Sequence, residues 1–182
     1  DAIRDAPTHS SRFAMTIHRY GLLSDTHGAL HPAAFELFDG VEAILHAGDV
    51  CGEDILTELE VLAPVHAVQG NCDAPSPRLP PLRVVELAFG NAVVSHSHLI
   101  GRASGDAEAT AAHFASQNPR LILFGHTHIA QRRKVGDCWV VNPGPAGKPR
   151  FRDKPQIVTM TWNSQGDTFA FEDHALDWTP HL

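Results

Sequence analysis

The sequence is poor in the devices that hold small secreted domains together, and each scarcity excludes something. Its 182 residues contain only three cysteines, Cys51, Cys72 and Cys138. The number is odd and matches no zinc-knuckle spacing, so neither a disulfide framework nor a cysteine-rich metal site is expected. At 43% hydrophobic residues the chain is long enough to bury a core without stapling, and a reducing, cytoplasmic setting is the expectation. No apolar run approaches the roughly 20 residues of a membrane-crossing helix, and the amino terminus lacks the basic, apolar and small-residue segments of a signal peptide. Positive charge is also short. The 14 Lys and Arg stand against 21 Asp and Glu, a formal charge of -7, which argues against non-specific binding to nucleic-acid backbones.

What the chain does have is histidine: 13, against a single tyrosine. Histidine is the commonest metal ligand, so its placement decides what the count means. Residues 1–14 are polar, include Pro7 and show no periodicity, and read as a disordered extension or expression remnant ahead of one domain over residues 15–182. Met15 to Leu23 is the first expected strand. A short helix over His31 to Phe38 follows, with Pro32 in its first turn. The run from Ala43 to Ala47 and that from Val65 to Val68 are short buried strands flanking a helix over Glu53 to Leu62, whose Ile55, Leu56, Leu59 and Leu62 share a face. Arg83 to Phe89 and Ala92 to Ser95 read as a hairpin turning at Gly90-Asn91. Asp106 to Ser116 reads as a helix, Leu121 to Phe124 as a strand, and Ala130 to Val135 with Cys138 to Val141 as a hairpin about Gly136-Asp137. Gln156 to Trp162 and Thr168 to Leu176 form a last antiparallel pair. Alternating strands and helices followed by hairpins point to an α/β domain of two packed mixed sheets with helices outside, a four-layer αββα sandwich.

The informative regularity is at the strand ends. Five separate apolar runs each finish on a side chain able to bind metal: Asp25 and His27; Asp49; Asn71; His96; and His126 with His128. In α/β sheets ligands bind beyond the carboxyl ends of strands, so such runs gather their last residues in one place. Gly28, Gly48, Gly70 and Gly125 beside them permit tight turns and close approach. Two Asp, one Asn and four His exceed one tetrahedral site and suit two borderline or hard ions. Two ions roughly 3.5–4 Å apart can share a carboxylate and a hydroxide and clamp both oxygens of an in-line displacement, which is the chemistry of phosphate-ester hydrolysis.

The series Asp25-x-His27, Gly48-Asp49, Gly70-Asn71-x-Asp73, His96 and Gly125-His126-x-His128, in this order, resembles the calcineurin-like metallophosphoesterases, particularly their small bacterial and archaeal phosphodiesterase branch. The resemblance runs from about Met15 to Thr161. It implies that Asp25, His27 and His128 hold one divalent ion, that Asn71, His96 and His126 hold a second, and that Asp49 bridges them, with a bridging hydroxide attacking phosphorus. Manganese is the first expectation, with nickel, cobalt, zinc and iron behind it. Asp49, Asn71, Cys72 and Asp73 are the expected catalytic residues. Cys72 stands where many superfamily members carry a His thought to protonate the leaving group, so the general acid is unassigned. Asn142-Pro143-Gly144 is similar to the family's Asn-Pro-Gly segment, although Pro145 replaces the Ser that follows it there.

The expected partner is a small or nucleotide-like phosphodiester, with homo-oligomerisation left open. Two other readings stand beside this one. A protein-interaction scaffold on the same fold is the first, since a eukaryotic retromer subunit resembles this branch. A phosphomonoesterase is the second. Structural roles are expected for His9, His18, His31, His46, His66, His113, His174 and His181, with His98 beside the ligands rather than among them. Cys51 and Cys138 are expected as small buried hydrophobes, and Arg102, Lys148 and Arg150 as solvated charges within reach of a substrate phosphate.

Overall fold

Apolar runs too short for a helix and buried on both faces become the central strands of two sheets. The computed structural model describes residues 16–101, 105–150 and 154–179; the amino-terminal segment, His9, His181 and Arg102 lie outside the described residues. In chain order the elements are β1 (Ile17–Leu23), α1 (Ala33–Leu37), β2 (Ala43–His46), α2 (Glu53–Glu60), β3 (Val65–Ala67), β4 (Leu82–Leu87), β5 (Gly90–Ser95), α3 (Ala107–His113), β6 (Pro119–Phe124), β7 (Gln131–Val135), β8 (Cys138–Asn142), β9 (Gln156–Asn163) and β10 (Thr168–Ala175).

The first sheet has the order β10-β9-β1-β2-β3 and the second β4-β5-β6-β8-β7. In each, three neighbouring strands run parallel, β1-β2-β3 and β5-β6-β8, and antiparallel strands complete the sheet. Leu45 and Ala47 face Val94, Leu121 and Leu123 across the gap between the sheets. The alternate residue Ile44 packs instead with Ile55, Leu56 and Leu59 of α2, and Ile122 and Phe124 pack with Ala107 and Phe114 on the α3 side. Because each strand has core on both faces, it reads as a continuous apolar run rather than an alternating one. The layers are therefore helix, sheet, sheet, helix, as expected.

Two local expectations need correcting. The β4–β5 turn is Ala88-Phe89, with Leu87 paired to Gly90, because Phe89 is buried in the core between the sheets and fixes the turn one step earlier than Gly90-Asn91. The third helix also stops short of Ser116. It ends at His113, a 3-10 turn covers Ala115–Gln117, and Asn118 caps that turn in the left-handed conformation, after which Pro119 opens β6.

Candidate metal centre

The carboxyl ends of five parallel strands, three from the first sheet and two from the second, converge on one edge of the sandwich. Asp25 and His27 follow β1, Asp49 follows β2, Asn71 follows β3, His96 follows β5, and His126 and His128 follow β6. Each chain must turn sharply as it leaves its strand. Asp25, His27, Asp49, His126 and His128 all have positive φ, between 48° and 72°. Such backbone is uncommon away from glycine and collects at functional sites. Glycines solve the remaining crowding: a Cβ on Gly70 would fall on the Asp49 carboxylate, and one on Gly125 on the Ser24 hydroxyl.

The seven expected ligands come together. His27 Nε2 lies 3.2 Å from His128 Nε2, and His128 Nε2 lies 3.4 Å from Asp25 Oδ1. His96 Nε2 is 3.1 Å from Asn71 Oδ1, which is 2.9 Å from His126 Nδ1. Asp49 sits between the two groups, its Oδ2 3.8 Å from His27 Nε2 and its Oδ1 3.4 Å from His96 Nε2. Ligand atoms about 2.0–2.2 Å from a shared cation are themselves roughly 3–3.5 Å apart, and the atoms here lie 2.9 to 4.0 Å from one another, close to that spacing.

The surroundings orient these atoms. His96 Nδ1 lies 2.7 Å from the Ala47 carbonyl; donating there, it leaves the Nε2 lone pair facing the cluster. Asp25 is fully buried. Its Oδ2 accepts from the Ser24 hydroxyl at 2.6 Å and the His126 amide at 3.3 Å, while its Oδ1 is buried with no hydrogen-bond partner. A buried carboxylate oxygen without a donor is costly, and a cation is the partner that suits it. The donor set of carboxylate oxygens, an amide oxygen and imidazole nitrogens therefore fits divalent ions.

Electrostatics follow the same geometry. Burial works against the charge of Asp49, but the adjacent His96 ring and the Cys72 amide, which donates to it, hold its carboxyl far below the usual carboxylate range. Burial disfavours the charged form of His96 too, yet Asp49 and Asp25 outweigh it and the ring is pushed up. His27 goes the other way, lowered by burial and by the nearby charge of Arg150. The charge of Arg150 is thus felt at the centre, whereas Lys148 Nζ lies 6.0 Å from the Trp178 ring.

The remaining candidates divide. Cys72 lies at the rim, its Sγ within 4.8 Å of ligand atoms on His27 and Asp49, and its amide bonds to Asp49 Oδ1 at 2.8 Å. Asp73 spends both carboxylate oxygens on backbone amides, of Cys51 at 2.7 Å and Gly70 at 2.8 Å, and so ties the loop after β2 to that after β3. Asn142 braces the β6 loop through the Gly125 carbonyl at 3.1 Å and the Thr127 hydroxyl at 3.0 Å, while Ala146 and Gly147 donate to the carbonyls of Ser24 and Asp25. Cys138 is buried, but Cys51 is exposed, against expectation: the turn after β2 carries it outward, with its Sγ 3.7 Å from His27 Nδ1. His18 pairs with Glu42, His31 with the Asp177 carbonyl and His174 with Thr159, all structural. The His98 ring lies 5.4 Å from that of His96 and 6.2 Å from that of His126.

A family model described as the calcineurin-like phosphoesterase superfamily domain matches residues 19–165. The chain is 36% identical over 146 residues to the probable metallophosphoesterase of Methanothermobacter thermautotrophicus, covering 77% of this chain and 83% of that protein. It is 33% identical over 138 residues to one from Methanocaldococcus jannaschii, covering 71% and 69%. The chain belongs to the calcineurin-like phosphoesterase superfamily, a class of metal-dependent phosphoric ester hydrolases. The same fold recurs in a predicted phosphoesterase of Streptococcus pneumoniae (21% identity, 93% of this chain, 97% of that one, TM-score 0.73). An archaeal phosphodiesterase shares it too (22%, 85%, 99%, 0.65), as does Entamoeba histolytica Vps29 complexed with zinc (22%, 87%, 99%, 0.67). Among the described residues no helix is long and apolar enough to cross a membrane.

Proposed function

We propose that this chain is a phosphodiesterase working with two divalent metal ions, manganese foremost. The observation that carries the reading is the place of Asp49, whose two oxygens face His27 and His96 at 3.8 and 3.4 Å and so reach both halves of the cluster. Asp25, His27 and His128 would hold one ion and Asn71, His96 and His126 the other, with Asp49 shared. Bound there, the ions would supply Lewis-acid polarisation of the phosphoryl group and a water acidic enough to ionise near neutral pH.

The chain's own residues do the rest. Ser24 and the His126 amide fix the Asp25 carboxylate, the Ala47 carbonyl fixes the His96 tautomer, and Asp73 holds the loop that presents Asn71. The positive charge of Arg150, felt at His27, would favour the charge developing on the phosphoryl group. Burial and the Asp49 charge push the Cys72 thiol up, so it stays protonated but is a poor acid at neutral pH. Turnover therefore depends on the quality of the leaving group. That an archaeal protein of the same fold is a phosphodiesterase supports a diester as the substrate.

The test strips the protein with chelator and reloads it separately with manganese, nickel, cobalt, zinc and magnesium. Bis(p-nitrophenyl) phosphate and p-nitrophenyl phosphate are the substrates. Metal-dependent turnover with the diester preferred is expected. Preference for the monoester would replace this reading by a phosphomonoesterase. No turnover with any metal, despite two bound ions, would replace it by a protein-interaction scaffold.

A further inference from the structure

Asn71 is the one carboxamide among the seven expected ligands. A carboxylate presents oxygen at both ends, whereas a carboxamide presents oxygen at one end and an NH2 donor at the other, so only one of its two orientations can bind a cation. Asn71 turns the oxygen inward, 3.1 Å from His96 Nε2 and 2.9 Å from His126 Nδ1. The His96 ring does not by itself select that orientation. It donates through Nδ1 to the Ala47 carbonyl at 2.7 Å, and in the neutral form that binds metal its Nε2 carries a lone pair, which would accept from an NH2 group and gains nothing from an oxygen. Another contact has to hold the amide the right way round.

That contact comes from the next residue. Asn71 Nδ2 donates to Cys72 Sγ at 3.3 Å, a bond that the opposite orientation gives up. Cys72 is itself pinned through its backbone. Its amide donates to Asp49 Oδ1 at 2.8 Å and its carbonyl accepts from Cys51 Sγ at 3.6 Å, which ties the residue to the shared carboxylate. We infer that Cys72 is a positioning residue for the second ion: its sulfur accepts from the Asn71 amide and keeps Asn71 Oδ1 aimed at the space beside His96 and His126. The inference rests on the two-ion reading and gives Cys72 a task other than proton transfer. Its Sγ also lies within 4.8 Å of ligand atoms on His27 and Asp49, so direct ligation is the role that a test has to separate from positioning.

A double-mutant cycle separates the two, because Asn71→Asp presents oxygen whichever way it turns and needs no orienting partner. Metal-free protein is titrated with cobalt(II) in competition with a chelating dye. Cys72→Ala alone should weaken the second of two binding steps by about tenfold or more, as loss of an orienting partner does, and Cys72→Ser, which keeps an acceptor, should recover most of it. In the Asn71→Asp background Cys72→Ala should change that step by no more than about twofold. Partial loss of fold would lower affinity in both backgrounds alike and does not mimic this pattern. Cobalt-loaded wild type should show no sulfur-to-cobalt charge-transfer band. Unchanged affinity in Cys72→Ala, an equal loss in both backgrounds, or such a band would overturn the positioning role. If wild type bound a single ion, the two-ion reading would fall and the same cycle on that ion would still decide. A loss confined to the Asn71 background would keep Cys72 as the orienting residue, and any other pattern would remove it.

Discussion

A thiol closes the hydrogen-bond chain behind His27. With Nε2 turned to the cluster, Nδ1 carries the proton and points at Cys51 Sγ, 3.7 Å away, and the thiol in turn donates to the Cys72 carbonyl at 3.6 Å. Although the residue is exposed, partial burial of its sulfur, with the charges of Asp73 and Asp49, pushes the Cys51 thiol up to about 12, so it stays neutral and can accept and donate at once. Groups that orient a metal-binding imidazole commonly govern affinity by about 10–100-fold. Cys51→Ala should therefore weaken binding of the first metal by about that factor, and Cys51→Ser, which keeps a donor and acceptor, should recover most of it. Competition with a chelating dye measures this; equal affinity in Cys51→Ala would remove Cys51 from the role. Nothing in the sequence around Cys51 marks it, since its importance lies in where the turn after β2 points it.

At the level of elements, the ends of the parallel strands matter more than the strands. His46, the last residue of β2, is fully buried. Its Nδ1 accepts from the Gly48 amide at 3.2 Å, its Nε2 donates to the Thr26 hydroxyl at 3.0 Å, and that hydroxyl donates to the Val50 carbonyl at 3.1 Å. The neutral ring thereby fastens the loop bearing Asp25 and His27 to the loop bearing Asp49. Burial lowers His46 from 6.5 to about 4, so between those values the unfolded chain takes up a proton that the folded chain refuses. The stabilisation is complete above pH 6.5 and is lost as the pH falls toward 4. At pH 5 the loss amounts to about 2 kcal/mol. Urea denaturation in chelator at pH 7.5 and 5.0 should show wild type losing about that much more than His46→Gln; equal losses would contradict the account.

The strand ends were legible because each apolar run stops abruptly at a polar ligand beside glycine, a pattern that survives without knowledge of partners. The hairpin at Ala88-Phe89 was misplaced for the opposite reason. Gly90-Asn91 has local turn chemistry, but burial of Phe89 between the sheets overrides it, and that burial depends on residues distant in the chain.

On the scale of the whole molecule, the two sheets act as one device. The first supplies Asp25, His27, Asp49 and Asn71, the second His96, His126 and His128, and His27 meets His128 across 101 residues. The order of ligands along the chain is enough to recognise the set. It does not tell that β8 lies beside β6, nor that Asn142 at its end braces the Gly125–Thr127 segment, since those contacts arise only when the second sheet closes. Asp49 is where the two halves join, and the account depends on its reaching both. Elemental analysis after dialysis decides this most directly. Wild-type protein should hold two divalent ions per chain and Asp49→Ala, still folded by circular dichroism, no more than one; fewer than two in wild type, or two retained in Asp49→Ala, would contradict the shared centre.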